Sequence, residues 1–251
     1  MNVAGKYLLP VLLLWTAAPA WAQQGGDLQA QILYAYHTED TNTLKNLIQD
    51  LTTQVKADEG DAPLRYHLAH AHYRHGLLAG SAASREAAMS DCIDQLKPVL
   101  ARDVKSVEAL ILQSACYAGL ASYRKLEAAL LRSRSEDRLK AALKQDPRNP
   151  RAVFLSSMES LRQAKAGSPE QQRAFSQLQL AAKLFDASSA TSLDTPGWGH
   201  AEAYLALGQE LQSRGDQLGA RNWIEKALIV APDYQAAQRQ LALLVRSAPP
   251  S

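Results

Sequence analysis

One stretch of 34 residues, Ala201 to Tyr234, constrains the fold of this chain most: AEAYLALGQELQSRGDQLGARNWIEKALIVAPDY. Apolar residues recur every three to four positions on both sides of a central turn, which is the periodicity of amphipathic α-helices. Gly208 and Ala220 are small where two antiparallel helices must approach each other. Gly215 turns the chain, and Pro232 closes the second helix because proline cannot continue one. The stretch therefore predicts a helical hairpin.

The spacing within this hairpin resembles the tetratricopeptide repeat. In that family the first helix carries W-x-x-L-G-x-x-Y, and the second carries A-x-x-x-F-x-x-A before a closing proline. The chain fills every one of these positions with a fitting residue: Tyr204, Leu207, Gly208, Leu211, Ala220, Ile224, Ala227 and Pro232. The resemblance implies an α-solenoid, in which stacked hairpins share one continuous core.

Earlier segments carry weaker copies of the same unit. APLRYHLAHAHYRHG, from Ala62 to Gly76, aligns with a first helix, and residues 98–119 and 139–163 repeat the junction between two units. Composition agrees, because the good helix formers Ala, Leu, Gln, Arg and Glu dominate while alternating apolar runs are scarce. We predict an all-α fold, an α-solenoid of about four tetratricopeptide-like hairpins with capping helices at both ends.

The register of the repeats also predicts how the chain is divided. The expected parts are a signal peptide (1–22), an N-terminal helical hairpin cap (23–61), the repeat array (62–234), and a C-terminal capping helix with a tail (235–251). Two segments lengthen the ideal repeat, an insert at 77–91 and a polar linker at 186–200. Inserts in a solenoid lie on one face and can carry function.

The first residues are typical of an export signal. Lys6 precedes the apolar run YLLPVLLLWTAA, and AWA, ending at Ala22, supplies the small-x-small cleavage pattern. The run is shorter than the roughly 20 apolar residues that span a membrane. No cysteine lies directly after it to carry a lipid. We expect a mature chain that begins at Gln23, has no membrane span and is periplasmic or secreted.

Charge and motifs exclude several classes of function. The chain has 27 basic and 25 acidic residues, a formal net charge of +2, so its overall charge does not attract nucleic acid. It contains no Gly-rich phosphate loop, no H-E-x-x-H, no C-x-x-C and no G-x-S-x-G. We therefore expect neither an enzyme nor a bound cofactor.

Four histidines, His67, His70, His72 and His75, crowd the helix predicted at Ala62 to Gly76. At about 100° per residue the first two project on one side of the helix and the last two on another. A closed zinc site needs four converging ligands, so this arrangement predicts no metal site, with His72 packed in the family's aromatic position.

An alternative function stays open, a small-ligand or metal-binding accessory protein that uses this histidine helix and the loop around Trp198. The stretch PGWGHAEAYLALG is also similar to exported tetratricopeptide proteins that accompany some TRAP transporters, which suggests a place beside a solute-uptake system. Trp198 either gates a pocket or plugs its loop onto the core.

The two cysteines, Cys92 and Cys116, form a disulfide candidate in an oxidising compartment, or else two buried thiols. The register implied by the resemblance places both at the same end of neighbouring repeats. A bridge between them would staple the two repeats together.

The resemblance also implies a binding surface, because positions on the first helix of each repeat face a concave groove in this family. Carried over residue by residue, the partner-binding set is Tyr66, His70, Tyr73, Arg74, Arg151, Phe154, Met158, Arg162 and Glu202. Aromatic, Met and Arg side chains are enriched at interface hot spots, and arginines can clamp carboxylates. We predict a non-catalytic scaffold that binds a protein or peptide partner in this groove. The alternative is an ordinary solvated helix face.

Overall fold

A computed structural model describes residues 20–189 and 196–247 of the chain. Within these ranges the chain forms eleven α-helices and no strand. The helices are α1 (Ala20–His37), α2 (Thr41–Ala57), α3 (Ala62–Leu78), α4 (Ala82–Arg102), α5 (Val107–Ala121), α6 (Ala128–Gln145), α7 (Pro150–Gln163), α8 (Pro169–Ser189), α9 (His200–Ser213), α10 (Gln217–Val230) and α11 (Gln235–Ser247). A short 3-10 turn, Lys125–Glu127, precedes α6. The predicted all-α fold is confirmed.

The helices pack as successive hairpins. Helices α3 and α4, α5 and α6, α7 and α8, and α9 and α10 form the four hairpins, and each stacks on the next. Helices α1 and α2 lie before the array, and α11 packs on α10 after it. The predicted α-solenoid of about four hairpins with capping helices is therefore confirmed.

Polar residues at the helix starts explain where several helices begin. The Asp61 carboxylate accepts the backbone N–H of Leu64 at 2.8 Å, and the Asp216 carboxylate accepts that of Gly219 at 2.8 Å. Each cap satisfies one of the N–H groups that have no partner within the helix. Pro150 begins α7, a position where the missing N–H of proline costs nothing.

The last hairpin, α9 and α10, shows why its small residues matter. A Cβ added to Gly208 would lie 2.5 Å from Cγ1 of Ile224 and 3.0 Å from the carbonyl oxygen of Ala220. Ala220 and Ile224 are themselves fully buried. Gly215 makes the turn between the helices with φ of 84°, a conformation that glycine adopts without strain. The sequence prediction for this hairpin holds in detail.

Residues 77–91, which the repeat register predicts as an insert, span the end of α3, a turn and the start of α4. Helix α3 continues to Leu78 and α4 begins at Ala82, so the segment consists of a short turn and the first half of a 21-residue helix. The alanine-rich sequence favours helix, and the Ser81 hydroxyl caps it by accepting the N–H of Ser84 at 3.1 Å. The predicted insert is therefore mostly helical.

Cys92 on α4 and Cys116 on α5 are joined by a disulfide. Their Cα atoms are 6.3 Å apart, and both residues are fully buried. The bridge links the first and second hairpins, as the repeat register implies.

Some sequence predictions concern residues outside the described ranges. The predicted signal peptide lies there up to residue 19, as do residues 190–195 of the linker and 248–251 of the tail. The linker's first residues, 186–189, continue helix α8. Of the helices that the structure describes, none has the length and apolar character needed to cross a membrane.

The two capping ends of the described chain contact each other. Tyr36 and His37, at the end of α1, lie with their rings 6.1 and 4.5 Å from the ring of Tyr234, which precedes α11. Glu39 forms an ion pair with Arg239 on α11, with Nη1 and Oε2 2.9 Å apart. Helix α1 therefore packs on α3 of the first hairpin, and its last residues also contact Tyr234 at the other end of the chain.

Candidate functional site

Trp198 lies at the centre of a buried cluster between the first and last hairpins. It is only 2% exposed, and its indole N–H donates to the hydroxyl of Tyr66 at 3.0 Å. The rings of His70 and Tyr73 lie 5.9 and 6.3 Å from the indole ring. Trp198 therefore plugs its loop onto the core, which is the packing alternative of the two that the sequence left open.

Gly199 allows the loop to enter helix α9 directly after Trp198. Its φ is 100°, and a Cβ there would lie 2.7 Å from Cζ of Phe185. The backbone N–H of Gly199 donates to Oε2 of Glu202 at 3.0 Å, which caps the start of α9.

Arg151 holds the Trp198 loop from the side of α7. Its Nε and Nη2 donate to the two carboxylate oxygens of Glu108, both at 2.7 Å, and its Nη1 donates to the carbonyl oxygen of Pro196 at 2.5 Å. The side-chain amide of Asn149 donates to the same carboxylate at 2.8 Å. A bidentate pair of this geometry fixes the loop firmly and leaves the Arg151 guanidinium little capacity for a partner.

Arg74 and Glu202 form a second ion pair in the cluster. Arg74 is 2% exposed, and its Nη2 lies 2.6 Å from Oε1 of Glu202. Its Nε donates to Nε2 of His70 at 3.0 Å, and its guanidinium carbon lies 4.2 Å from the ring centre of Tyr36. The pair connects α3 in the first hairpin with α9 in the last.

The charge states in this cluster follow from its burial. Burial and the adjacent Arg74 hold the pKa of His70 well below its usual range, so His70 is neutral and accepts the hydrogen bond from Arg74. Burial alone would raise the pKa of Glu202, but the charges of Arg74 and His37 outweigh it and keep that pKa low. Burial raises the pKa of Tyr73 to about 12. Arg74 and Glu202 are therefore both charged near neutral pH.

The structure brings together six of the nine residues predicted to contact a partner. They are Tyr66, His70, Tyr73, Arg74, Arg151 and Glu202, and they lie around Trp198 and α1. His70, Arg74 and Arg151 are 0, 2 and 3% exposed, and the other three are partly buried. The chain itself thus covers this part of the predicted groove.

A second region of the array is open to solvent between α5, α6 and α7. We call it the open groove. It encloses about 320 Å³ above an apolar floor formed by Ala115, Ala118, Leu139, Leu155 and Met158. Arg132, Glu136, Glu159 and Arg162 stand at its rim. Small side chains on α5 create the space, because alanine occupies positions where a larger residue would fill it.

The rim charges of the open groove are unequally paired. Nε of Arg162 donates to Glu159 at 2.8 Å, and the Lys140 ammonium lies 3.5 Å from the Glu136 carboxylate. Arg132 forms no ion pair with any residue in the described part of the chain. Its charge still acts on Glu159, whose pKa it helps to lower, so Arg132 is an exposed cation beside a rim carboxylate.

A smaller cavity of about 200 Å³, which we call the aromatic pocket, adjoins the open groove across α7. Tyr36, Tyr73, Trp198 and Tyr234 form one wall, Phe154, Met158, Leu205 and Ala206 form the other, and Arg74 and Glu202 lie in its lining. Leu155 and Met158 line both cavities. Of the predicted residues, Phe154 thus belongs to the aromatic pocket, Met158 to both cavities and Arg162 to the open groove.

The histidines of α3 serve packing contacts. His72 is 12% exposed, and its Nδ1 lies 3.7 Å from the carboxylate of Asp91 on α4. His70 lies in the Trp198 cluster instead. Among the described residues no group of three or more His, Cys, Asp or Glu side chains could hold a metal ion.

Sequence reasoning missed Tyr36, His37 and Tyr234, which complete the cluster. His37 Nε2 lies 4.0 Å from Oε1 of Glu202, and burial lowers the pKa of His37. No local spacing could reveal these contacts, because the residues stand at opposite ends of the chain. Only one weak indication of these contacts was visible in the sequence, the two adjacent aromatic residues at the end of α1. No role for that helix other than capping the array was predicted from the sequence.

No model of a known protein family matches the sequence. No curated protein matches it either. Among solved structures, the chain is similar to the crystal structure of a thermophilic TPR protein from Thermus thermophilus, with a TM-score of 0.62 and 19% sequence identity. The similarity covers 90% of this chain and 99% of that one. The likeness shows that the chain has the helical-repeat fold of tetratricopeptide proteins.

Proposed function

We propose that this chain is an exported, non-catalytic scaffold that binds a segment of a partner protein in the open groove. The observation that supports this most strongly is the division of the concave surface. The region around Trp198 is largely covered by the chain itself and keeps a cavity of only about 200 Å³, while the groove of about 320 Å³ between α5, α6 and α7 exposes an apolar floor. Exposed apolar surface with a polar rim is typical of protein interaction sites.

The fold agrees with a scaffold role, because stacked helical hairpins create an extended surface for binding. Helix-in-groove and extended-segment recognition both use such surfaces. The Cys92–Cys116 disulfide supports an oxidising compartment, and with the signal-like N-terminus it supports the periplasm.

The chemistry of the open groove favours a partner segment of a particular composition. The floor formed by Ala115, Leu139 and Met158 takes apolar side chains, and Met158 can adapt to their shape because its side chain is flexible. Arg132 is exposed at the rim and forms no salt bridge within 4.0 Å among the described residues, although its charge also acts on Glu159. An acidic residue of the partner beside the apolar ones would therefore gain a contact there. We propose an acidic and apolar segment as the ligand.

The residues predicted from the sequence divide into two roles in this proposal. Met158, 37% exposed, and Arg162, with half of its side chain exposed, contact the partner. Tyr66, His70, Arg74 and the others around Trp198 hold the array in shape.

A groove-filling variant tests the proposal. Ala118 is exposed and lines the open groove, so Ala118→Trp fills the groove without removing a buried group. Leu218→Trp on α10 is the matched control, since Leu218 is 71% exposed and lies outside the groove. Partners are captured from extract of the producing cells, identified, and titrated as purified proteins against wild type and both variants.

The expected result is at least a roughly tenfold loss of affinity, about 1.4 kcal/mol, for Ala118→Trp and no change for Leu218→Trp. Equal binding by the two variants, each with a native circular dichroism spectrum, would contradict the proposal.

A further inference from the structure

The two methionines of the expected mature chain lie in opposite environments. Met89 on α4 is 1% exposed, and a Cβ added to Gly119 would lie 2.7 Å from its sulfur. Met158 on α7 is 37% exposed and lines both the open groove and the aromatic pocket. The third methionine, Met1, belongs to the predicted signal peptide. One methionine of the mature chain is thus enclosed in the core, and the other is open to small solutes.

We propose that Met158 is an oxidation site through which a peroxide releases the partner segment from the open groove. The inference rests on the proposed function, because the groove must bind a partner before oxidation can release it. Peroxide converts the Met158 thioether to the sulfoxide, and the polar sulfoxide weakens binding at the apolar floor.

The reaction balances with the thioether and the peroxide alone. A lone pair of the Met158 sulfur attacks one oxygen of hydrogen peroxide, the O–O bond breaks, and an S–O bond forms. The second oxygen takes the proton of the first and leaves as water, so the sulfur loses two electrons and the peroxide gains them. A groove of about 320 Å³ admits this reagent, since a water molecule occupies only about 30 Å³ in the liquid.

The cysteines of the chain do not compete for the oxidant. Thiolates are usual protein targets of peroxides. The chain has two cysteines, Cys92 and Cys116, and both are joined in the buried disulfide. The same disulfide supports an oxidising compartment. Among the described residues, Met158 is therefore the exposed sulfur that a peroxide meets.

The environment of Met158 explains why its oxidation acts on binding and not on the fold. In the free chain water can solvate the new oxygen, because the residue is already 37% exposed. In the complex the oxygen faces apolar side chains of the floor such as Ala115 and Leu139, which offer it no hydrogen-bond donor. Arg162, one turn further along α7, already donates two hydrogen bonds to Glu159. The partner would therefore cover an unsatisfied polar atom, which is costly.

Timed oxidation of the folded chain is the first test. Purified protein is treated with dilute hydrogen peroxide, and the sulfoxide at each methionine is followed by peptide mass spectrometry. Met158 should oxidise roughly tenfold or more faster than Met89 in the native chain, and the two rates should converge in urea. Equal rates in the native chain, or faster oxidation of Met89, would overturn the proposal whether or not a partner has been identified.

Binding by the oxidised chain is the second test. The chain alone is oxidised, the peroxide is destroyed with catalase, and the partner identified by capture is then titrated. Oxidation should weaken binding by wild type roughly tenfold, about 1.4 kcal/mol. Met158→Leu keeps an apolar floor and cannot be oxidised at this position, so its affinity should not change on treatment. Unchanged affinity of fully oxidised wild type, or an equal loss in Met158→Leu, would contradict the proposal.

A substitution imitates the modified state without an oxidant. Met158→Gln places a polar amide in the groove and should bind the partner as weakly as oxidised wild type, with a native circular dichroism spectrum. Leu180→Gln on α8 is the matched control, since Leu180 is 40% exposed and lies outside the groove, and its affinity should equal that of wild type. Wild-type affinity in Met158→Gln would count against the proposal.

The variant Ala118→Trp separates the two proposals. If it weakens binding while oxidation and Met158→Gln do not, control by oxidation is refuted and the groove remains the binding site. If Ala118→Trp leaves binding unchanged, the proposed function and this inference fall together.

Discussion

Arg74 on α3 and Glu202 on α9 form a largely buried ion pair, 2.6 Å between Nη2 and Oε1, that joins the first hairpin of the array to the last. Glu202 also caps its own helix through the N–H of Gly199, so the pair is tied to the Trp198 loop. The chain covers the concave surface between the first and last hairpins, because the Arg74–Glu202 pair, the Trp198 indole and α1 all pack there.

Breaking this pair on one side should cost more than removing it altogether. Arg74→Met leaves the Glu202 carboxylate without its counter-charge, for which we expect a loss of about 3 to 5 kcal/mol in the free energy of unfolding. The double variant Arg74→Met/Glu202→Gln should be less destabilised than Arg74→Met alone. Urea denaturation of wild type, both singles and the double measures the coupling, and strictly additive losses would show that the pair is not coupled.

Trp198 should be a major contributor to stability. Trp198→Ala removes a large side chain that is 2% exposed, and we expect a loss of about 3 to 5 kcal/mol. Tyr66→Phe removes only the acceptor of the indole N–H and should cost about 1 to 3 kcal/mol. Denaturant midpoints of the two variants check the order, and an equal or smaller loss for Trp198→Ala would refute it.

The repeat architecture was predictable because its determinants are local. The α9–α10 hairpin depends on spacings of a few residues, such as the small Gly208 against Ala220 and the turn at Gly215, and these are visible in one segment. The disulfide followed from the same register, since it joins helices that are neighbours in the stack.

The covering of the concave surface was not predictable by the same means. Trp198 contacts Tyr66, and Tyr36 contacts Tyr234, although the two residues of each pair are far apart in the sequence. Tyr, His and Arg on the inner helix faces are equally suited to hot spots and to a buried polar cluster. Which role these residues take depends on whether α1 and the Trp198 loop lie over them. The spacing of the repeats does not indicate where those two segments lie.

The disulfide should stabilise the array without taking part in any reaction. Cys92 and Cys116 are separated by 24 residues, and a loop of this size predicts a contribution of about 3 kcal/mol. Cys92→Ala/Cys116→Ala should lower the free energy of unfolding by this amount and leave the circular dichroism spectrum unchanged. A double variant as stable as the oxidised wild type would contradict the expectation.

His70 should make the protein sensitive to mild acid. Its folded pKa is far below 6.5, so the unfolded chain takes up a proton below that pH while the folded chain does not. The stability that this neutral histidine contributes is therefore complete above about pH 6.5 and is lost as the pH falls.

His70→Gln isolates this effect, because its side-chain oxygen can still accept the hydrogen bond from Arg74 while the side chain cannot titrate. Between pH 7.5 and 5.5 wild type should lose about 1.4 kcal/mol more of its free energy of unfolding than the variant. His37, His67 and His72 also have lowered pKa values and titrate alike in both proteins, so only the difference reports His70. Parallel stability curves would rule out the assignment of a neutral, acid-sensitive His70.

Gly208 should tolerate no side chain. Alanine normally favours a helix over glycine by about 1 kcal/mol, but here its Cβ would meet Ile224 at 2.5 Å. Overpacking of this kind costs about 1 to 3 kcal/mol, so Gly208→Ala should be destabilising on balance. Gly80→Ala is the control, since nothing lies within 4 Å of its added Cβ, and thermal unfolding should rank it at or above wild type. If Gly208→Ala were as stable as wild type, α9 and α10 would be able to move apart at no cost in free energy, which would contradict this prediction.

The central claim is that a partner binds at the open groove and not elsewhere on the array. Photo-crosslinking tests it most directly, with benzoylphenylalanine placed at Met158 in the groove or at Leu218, an exposed position on α10. The account predicts that one partner crosslinks from position 158, that Ala118→Trp in the same chain suppresses the crosslink, and that position 218 gives none. A partner that crosslinks equally from both positions, or from position 158 regardless of Ala118→Trp, would contradict it.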